Sequence, residues 1–165
     1  MNKDKLKIAV IGMGYVGLPL AIEFSKKKIA VVGFDINNNR IKKLKSGIDS
    51  TNEVSKIELK KTKAFFSKKL VDAKNCNVFI VTVPTPVTNS NKPNLEPLVN
   101  ATKLISKILK KNDVVIYEST VFPGATEDLC GPILEKETKL KINKDFFLGY
   151  SPERINPGDK KKRIK

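Results

Sequence analysis

Gly12, Gly14 and Gly17 stand in the pattern G-x-G-x-x-G within Gly12-Met13-Gly14-Tyr15-Val16-Gly17, and Asp35 follows at roughly the 20-residue distance a dinucleotide site uses. The three glycines serve different ends. Gly12 permits a tight turn, Gly14 lets backbone approach a pyrophosphate, and Gly17 lets a helix pack closely on a strand. Asp35 is placed to accept hydrogen bonds from the adenine ribose hydroxyls, and its charge would repel a 2′-phosphate, which favours NAD over NADP. Arg40 lies a short way beyond and either approaches the adenosine side or is an ordinary surface arginine. Thr85 and Thr120 each close an apolar run, where a hydroxyl reaches a ligand or bonds its own turn. Glu118 and Glu153 offer carboxylates, as general bases if buried beside a cofactor or as plain exposed glutamates.

The elements that must position these groups follow from the hydrophobic pattern. An apolar run over residues 6–11 reads as a strand ending in the glycines, and residues 15–28 read as the helix that follows. Residues 29–35 form the next strand, with Asp35 at its end. Residues 37–45 suit a short helix capped by Asn37, with Ile41 and Leu44 on one face. Gly47 ends it, a polar loop covers 48–53, and 54–63 is a helix with Val54, Ile57 and Leu59 as its apolar side. A short strand is expected at 64–66 and a short helical connection at 70–74. Residues 77–83 are a buried strand stopped by Pro84-Thr85-Pro86, since proline cannot donate to a ladder. After the polar loop 87–94, the pattern predicts a helix over 95–111, a strand over 113–117, a helix over 125–136 kinked at Gly131-Pro132, and a last strand over 146–150. Strands alternating with helices predict one α/β domain, a Rossmann-like doubly wound parallel sheet. Ligands collect beyond the strand C-termini of such sheets, which selects 12–17, Asp35, 84–86, 118–120 and 151–154 as one rim.

Composition narrows the chemistry. At 165 residues one full core is expected. No histidine and only two cysteines, Cys76 and Cys130, rule out zinc sites and histidine triads built from this chain, and no metal is expected. Both cysteines read as small core residues. The net charge of +15 comes almost wholly from lysines spread over the helices, with Arg40, Arg154 and Arg163 the only arginines. Specific nucleic-acid readers rely on arginine forks and stacking aromatics, so the lysines are read as solvated faces with a general pull on acidic ligands. No apolar run reaches the roughly 18 residues of a membrane span, and no signal segment opens the chain, so a cytoplasmic setting is expected.

Four ordered motifs go further. Val10-Ile11-Gly12-Met13-Gly14-Tyr15-Val16-Gly17-Leu18-Pro19, Val83-Pro84-Thr85-Pro86, Glu118-Ser119-Thr120-Val121 and Ser151-Pro152-Glu153-Arg154 together resemble the N-terminal NAD-binding domain of the UDP-glucose/GDP-mannose dehydrogenase family. The run Ser151-Pro152-Glu153-Arg154-Ile155-Asn156-Pro157-Gly158 resembles its UDP-N-acetylglucosamine/UDP-N-acetylgalactosamine 6-dehydrogenase branch. The second glutamate of the UDP-glucose branch has no counterpart, because Pro157 stands at that offset. The resemblance implies oxidation of a sugar C6 alcohol to a carboxylate with two NAD, through a cysteine-bound thioester, for surface polysaccharide precursors. By position it implies NAD contacts at Tyr15, Val16, Asp35, Arg40, Thr85 and Thr120. It also implies water placement by Thr120, a hydrolytic base at Glu153, and sugar-nucleotide contacts at Arg154 and Ile155. The family's nucleophile, central dimerising helix and UDP-binding domain would lie beyond residue 165. On that reading, residues 1–165 are one NAD-binding fragment of a homodimer or higher oligomer, inactive alone. A non-catalytic NAD-binding module and a UDP-glucose 6-dehydrogenase are the competing readings, and nucleic-acid binding, on charge alone, is a further one.

Overall fold

The computed structural model describes residues 5–88, 92–119, 121, 122 and 124–152. Six strands, β1 (Lys7–Ile11), β2 (Ala30–Phe34), β3 (Phe65–Ser67), β4 (Val78–Val81), β5 (Val114–Tyr117) and β6 (Phe147–Tyr150), form one sheet in the order β3-β2-β1-β4-β5-β6. Every pairing is parallel. That is the doubly wound order, in which the strand sequence reverses direction between β1 and β4. The described helices are α1 (Gly17–Lys26), α2 (Asn38–Lys45), α3 (Lys56–Lys61), α4 (Glu96–Ser106) and α5 (Gly131–Thr138).

The two central strands are apolar throughout because both their faces are covered. Alternation along β1 sends Ile8 and Val10 to one side, where they meet Leu18, Ile22 and Ile41, and sends Ala9 and Ile11 to the other. Val78 and Ile80 join the first side, Phe79 and Val81 the second with Leu98, Ile105, Tyr117 and Leu134. Phe79 is wholly buried there, a position where truncation to alanine costs about 3–5 kcal/mol.

Helix starts follow local chemistry. Asn37 caps α2, its Oδ1 accepting from the amides of Asn39 and Arg40 at 3.0 and 3.1 Å. Ser55 and Glu58 form a reciprocal capping box on α3. Two expectations are corrected. Ile57 is 66 % exposed while Val54 and Leu59 are buried, because a two-residue step turns a helix by about 200° and only one of Ile57 and Leu59 can face inward. α4 ends at Ser106, short of 111, and Asp113 accepts the Lys110 amide at 2.8 Å to turn the chain into β5. The expected kink at Gly131-Pro132 is the junction of a π-helical turn, Ala125–Cys130, with α5; proline has no amide to continue the inner ladder.

Register makes the rim. Ile11 pairs with Phe34 and Val81, Val81 with Tyr117, and Tyr117 with Tyr150. The residues that follow, Gly12, Asp35, Thr82, Glu118 and Ser151, therefore leave the sheet at one level.

Candidate cofactor site

A cleft of about 610 Å³ opens above β1 and β4, where the strand order reverses. Its walls are the glycine loop, Asp35 and Asn37 beyond β2, Thr82 to Thr85 beyond β4, the first turns of α4, and Glu118 and Ser119 beyond β5.

The glycine loop is fixed by its own geometry. Gly12 has φ +103°, in the left-handed region that side chains avoid, and its amide donates to Phe34 O at 2.8 Å. A Cβ on Gly17 would land on the Gly12 carbonyl oxygen and on Thr82 Oγ1, so α1 could not start so close to β1 with any other residue. Gly14 differs: a Cβ there would meet nothing within 4 Å in the protein and would project into open space. The backbone at Gly14 is thus open to the approach of a ligand, and no side chain caps α1 at Val16, an amide end of the kind that suits an anion.

Met13, between the first two glycines, is held on every side. Its side chain is wholly buried, with sulfur and the Phe66 ring packed so closely over Gly33 that a Cβ on Gly33 would stand 2.6 Å from the sulfur. Its amide donates to Asp35 Oδ2 at 2.8 Å, and its carbonyl accepts from Arg40 Nε at 2.6 Å. Asp35 Oδ1 accepts the Asn37 amide at 2.8 Å. Both carboxylate oxygens are thereby oriented at the cleft's edge, each with further lone-pair capacity for a ribose hydroxyl.

Arg40 is 8 % exposed, so the surface-arginine reading gives way. Its guanidinium donates to Asp49 Oδ1 at 2.7 Å, Ser50 Oγ at 3.1 Å and Thr51 Oγ1 at 3.3 Å. The Asp49 side chain is 1 % exposed and also accepts from the amides of Thr51, Glu53 and Val54. Burial alone would raise the Asp49 pKa; hydrogen bonds from Thr51, Val54 and Arg40 outweigh it and hold the carboxyl below its usual value. On the other flank, Thr82 Oγ1 lies 2.8 Å from Gly12 O and 3.1 Å from Ile11 O, its one proton shared between them.

Gly12, Gly14, Tyr15, Val16, Asp35, Arg40 and Thr85 all line this cleft, and Gly17 packs beneath it. Thr120, Glu153, Arg154 and Ile155 lie outside the described residues. The sequence reading missed Met13, Thr82 and Asp49, and also Glu96 and Asn100, which α4 presents to the cleft. Only Thr82 left a signal, a hydroxyl directly after the apolar run Val78–Val81. Cys76 and Cys130 are buried away from the cleft lining. Among the described residues, no three histidine, cysteine, aspartate or glutamate side chains gather to hold a metal, and no helix is long and apolar enough to cross a membrane.

Comparison with known proteins agrees with this geometry. Residues 6–164 match the model of the UDP-glucose/GDP-mannose dehydrogenase family, NAD binding domain. A UDP-N-acetyl-D-glucosamine 6-dehydrogenase of Pseudomonas aeruginosa is 61 % identical over 160 residues, covering 96 % of this chain and 38 % of that relative. The solved UDP-D-ManNAc dehydrogenase of Pyrococcus horikoshii is 37 % identical with a TM-score of 0.85, over 93 % of this chain and 37 % of that one. GDP-mannose dehydrogenase of Pseudomonas aeruginosa, at 21 % identity and a TM-score of 0.85 over 92 % of this chain and 37 % of its own, shares the fold. The chain thus spans less than two fifths of the length of these relatives. With its doubly wound sheet, its glycine loop and Asp35 at the end of β2 lining the cleft, the chain belongs to the UDP-glucose/GDP-mannose dehydrogenase family and is its NAD binding domain.

Proposed function

We propose that this chain is the cofactor-binding part of a cytoplasmic, homo-oligomeric UDP-N-acetylhexosamine 6-dehydrogenase that makes uronates for surface polysaccharide precursors. The observation that carries the cofactor side is the Asp35 carboxylate, oriented by the Met13 and Asn37 amides beside a glycine loop with room at Gly14. The substrate side is supported by relatives named UDP-N-acetyl-D-glucosamine 6-dehydrogenase, at 61 % and 49 % identity.

The nicotinamide supplies the hydride acceptor when bound. Residues lining the cleft would hold it: Asp35 would take the adenine ribose, the amides around Gly14, Tyr15 and Val16 would take the pyrophosphate, and Thr85 would add a further contact. The overall reaction in this reading is R–CH2OH + H2O + 2 NAD⁺ → R–COO⁻ + 2 NADH + 3 H⁺, the protons passing to solvent. In this reading Thr120 places the hydrolytic water, Glu153 takes its proton, and Arg154 and Ile155 contact the sugar nucleotide. In this reading the thiol that carries the acyl group is neither Cys76 nor Cys130, since both are buried and neither lines the cleft.

Calorimetric titration with NAD, NADP, UDP-N-acetylglucosamine and UDP-glucose tests the reading. NAD is expected to bind, with NADP at least about tenfold weaker. A folded chain that ignores NAD overturns the cofactor assignment. In the full-length enzyme, two NADH per UDP-N-acetylhexosamine are expected; a preference for UDP-glucose overturns the substrate assignment.

A further inference from the structure

Arg40 is the one arginine among the described residues, and its position bears on cofactor specificity. Dinucleotide sites that accept NADP set an arginine near the ribose to meet the 2′-phosphate. Arg40 stands in that neighbourhood: it and Asp35 grip the same residue, one at the Met13 carbonyl and the other at the Met13 amide, and both line the cleft. Yet its guanidinium is committed elsewhere. Nε donates to Met13 O, and one terminal nitrogen donates to Asp49 at 2.7 Å and Ser50 at 3.1 Å. Asp49 itself cannot follow the arginine outward, because the amides of Thr51, Glu53 and Val54 hold its carboxylate in place.

We propose that Asp49 is a specificity-determining positioning residue: by holding Arg40 in a buried ion pair, it withholds from a 2′-phosphate the cation that would otherwise meet it. The pair cancels the arginine's charge, so Asp35 sets the sign of the ribose subsite and a 2′-phosphate is refused twice, by repulsion and by the missing partner. This rests on the NAD reading of the cleft. It extends that reading to a residue outside the glycine motif and the cleft lining.

The test is the ratio of NADP to NAD dissociation constants, by calorimetry, in wild type, Asp49→Asn, Arg40→Gln and the double variant, each checked for fold by circular dichroism. A general loosening of the loop weakens both cofactors and leaves the ratio alone, so the ratio separates specificity from structure. In Asp49→Asn the ratio is expected to fall at least about tenfold through tighter NADP binding, and adding Arg40→Gln is expected to erase that gain. Arg40→Gln alone is expected to weaken both cofactors together. A folded Asp49→Asn chain with an unchanged ratio overturns the proposal. Should Asp49→Asn not fold, Arg40→Gln decides: selective loss of NADP would mean that Arg40 already serves the phosphate, which also overturns it. Wild type that binds neither cofactor would overturn the NAD reading instead, an outcome distinct from both.

Discussion

Asp35 and Met13 are joined by a hydrogen bond of 2.8 Å from the Met13 amide to Asp35 Oδ2, which ties the end of β2 to the middle of the glycine loop. The residue proposed to read the ribose therefore also shapes the loop proposed to receive the pyrophosphate. Asp35→Ala removes both functions at once. Hydrogen bonds to a charged group contribute about 1.5–3 kcal/mol each, so NAD binding should weaken by roughly 10- to 150-fold. Discrimination against NADP should shrink with it. Asp35→Asn retains an acceptor for the Met13 amide and should fall between wild type and alanine. Calorimetry with NAD, NADP and ADP-ribose checks the order, and unchanged affinity for both cofactors would sink the ribose assignment.

Gly14 and Gly17 belong to one motif but should fail differently. Gly14→Ala places a methyl in open space, so thermal stability should stay near wild type while NAD affinity drops about tenfold or more, the methyl standing where the pyrophosphate must approach. Gly17→Ala drives a methyl into the Gly12 carbonyl and Thr82 Oγ1, both part of the central sheet's edge. Overpacking of that kind costs about 1–3 kcal/mol, and here the neighbour is backbone that cannot swing away. Scanning calorimetry with and without NAD separates the two. A Gly14→Ala chain that loses stability but keeps its affinity would reverse these roles.

Local sequence made some of this legible and left the rest out of sight. Asp35, Asn37 and the three glycines could be read directly because each acts on backbone a few residues away or belongs to a fixed-spacing motif. The parallel, doubly wound sheet also followed, since strands alternate with helices and apolar runs such as Val78–Val81 must be covered on both faces. Asp49 could not be read. It lies in a polar stretch with no periodicity, and its importance arises only when α2 carries Arg40 over the loop to meet it. Ile57 erred the other way: an apolar residue in a helix looks inward-facing until Leu59 is found to hold the core side. Tertiary placement of side chains, unlike element type, depends on pairings that no short window contains.

The two thiols should be silent in the native protein. Burial pushes the Cys76 thiol up to about 11, with Lys110 and Lys7 only partly countering it. Burial also raises Cys130, which sits wholly inside the core where the π-helical turn meets α5. At pH 8 a thiol with a pKa near 11 is about one thousandth ionised, against roughly a quarter for a free cysteine. A thiol-specific chromogenic reagent should therefore titrate neither residue until denaturant is added, and then both. Cys76→Ala should leave NAD affinity unchanged, as expected of a residue outside the cleft. Rapid native-state labelling of either residue would contradict its burial.

Glu58 gives the fold a defined acid sensitivity. Its carboxylate accepts from Lys26 Nζ at 2.9 Å, and from the Ser55 hydroxyl and amide at 2.8 and 3.1 Å, linking α1 to the start of α3. The Lys26 hydrogen bond first, then those of Ser55, hold its pKa near 2 against an ordinary 4.5. A depressed folded-state value means that this stabilisation is complete above about 4.5 and drains away as pH falls toward 2. Both partners are partly exposed, so solvent screening limits the ion pair to under about 1 kcal/mol. Glu58→Gln keeps a side chain able to close the capping box and loses the charge, so it should cost a few tenths of a kcal/mol at pH 7, on the scale of about 0.3–0.5 for surface helix pairs. Glu58→Ala loses both and should cost about 1 kcal/mol more. Urea melts from pH 7 down to 2 should show the wild-type and Gln curves converging below about pH 4.5, while the Ala variant stays lower wherever the box persists. High salt should narrow the wild-type to Gln gap and leave the Gln to Ala gap in place. A gap between wild type and Gln that widened on acidification would mean that Glu58 is not held by charge at all.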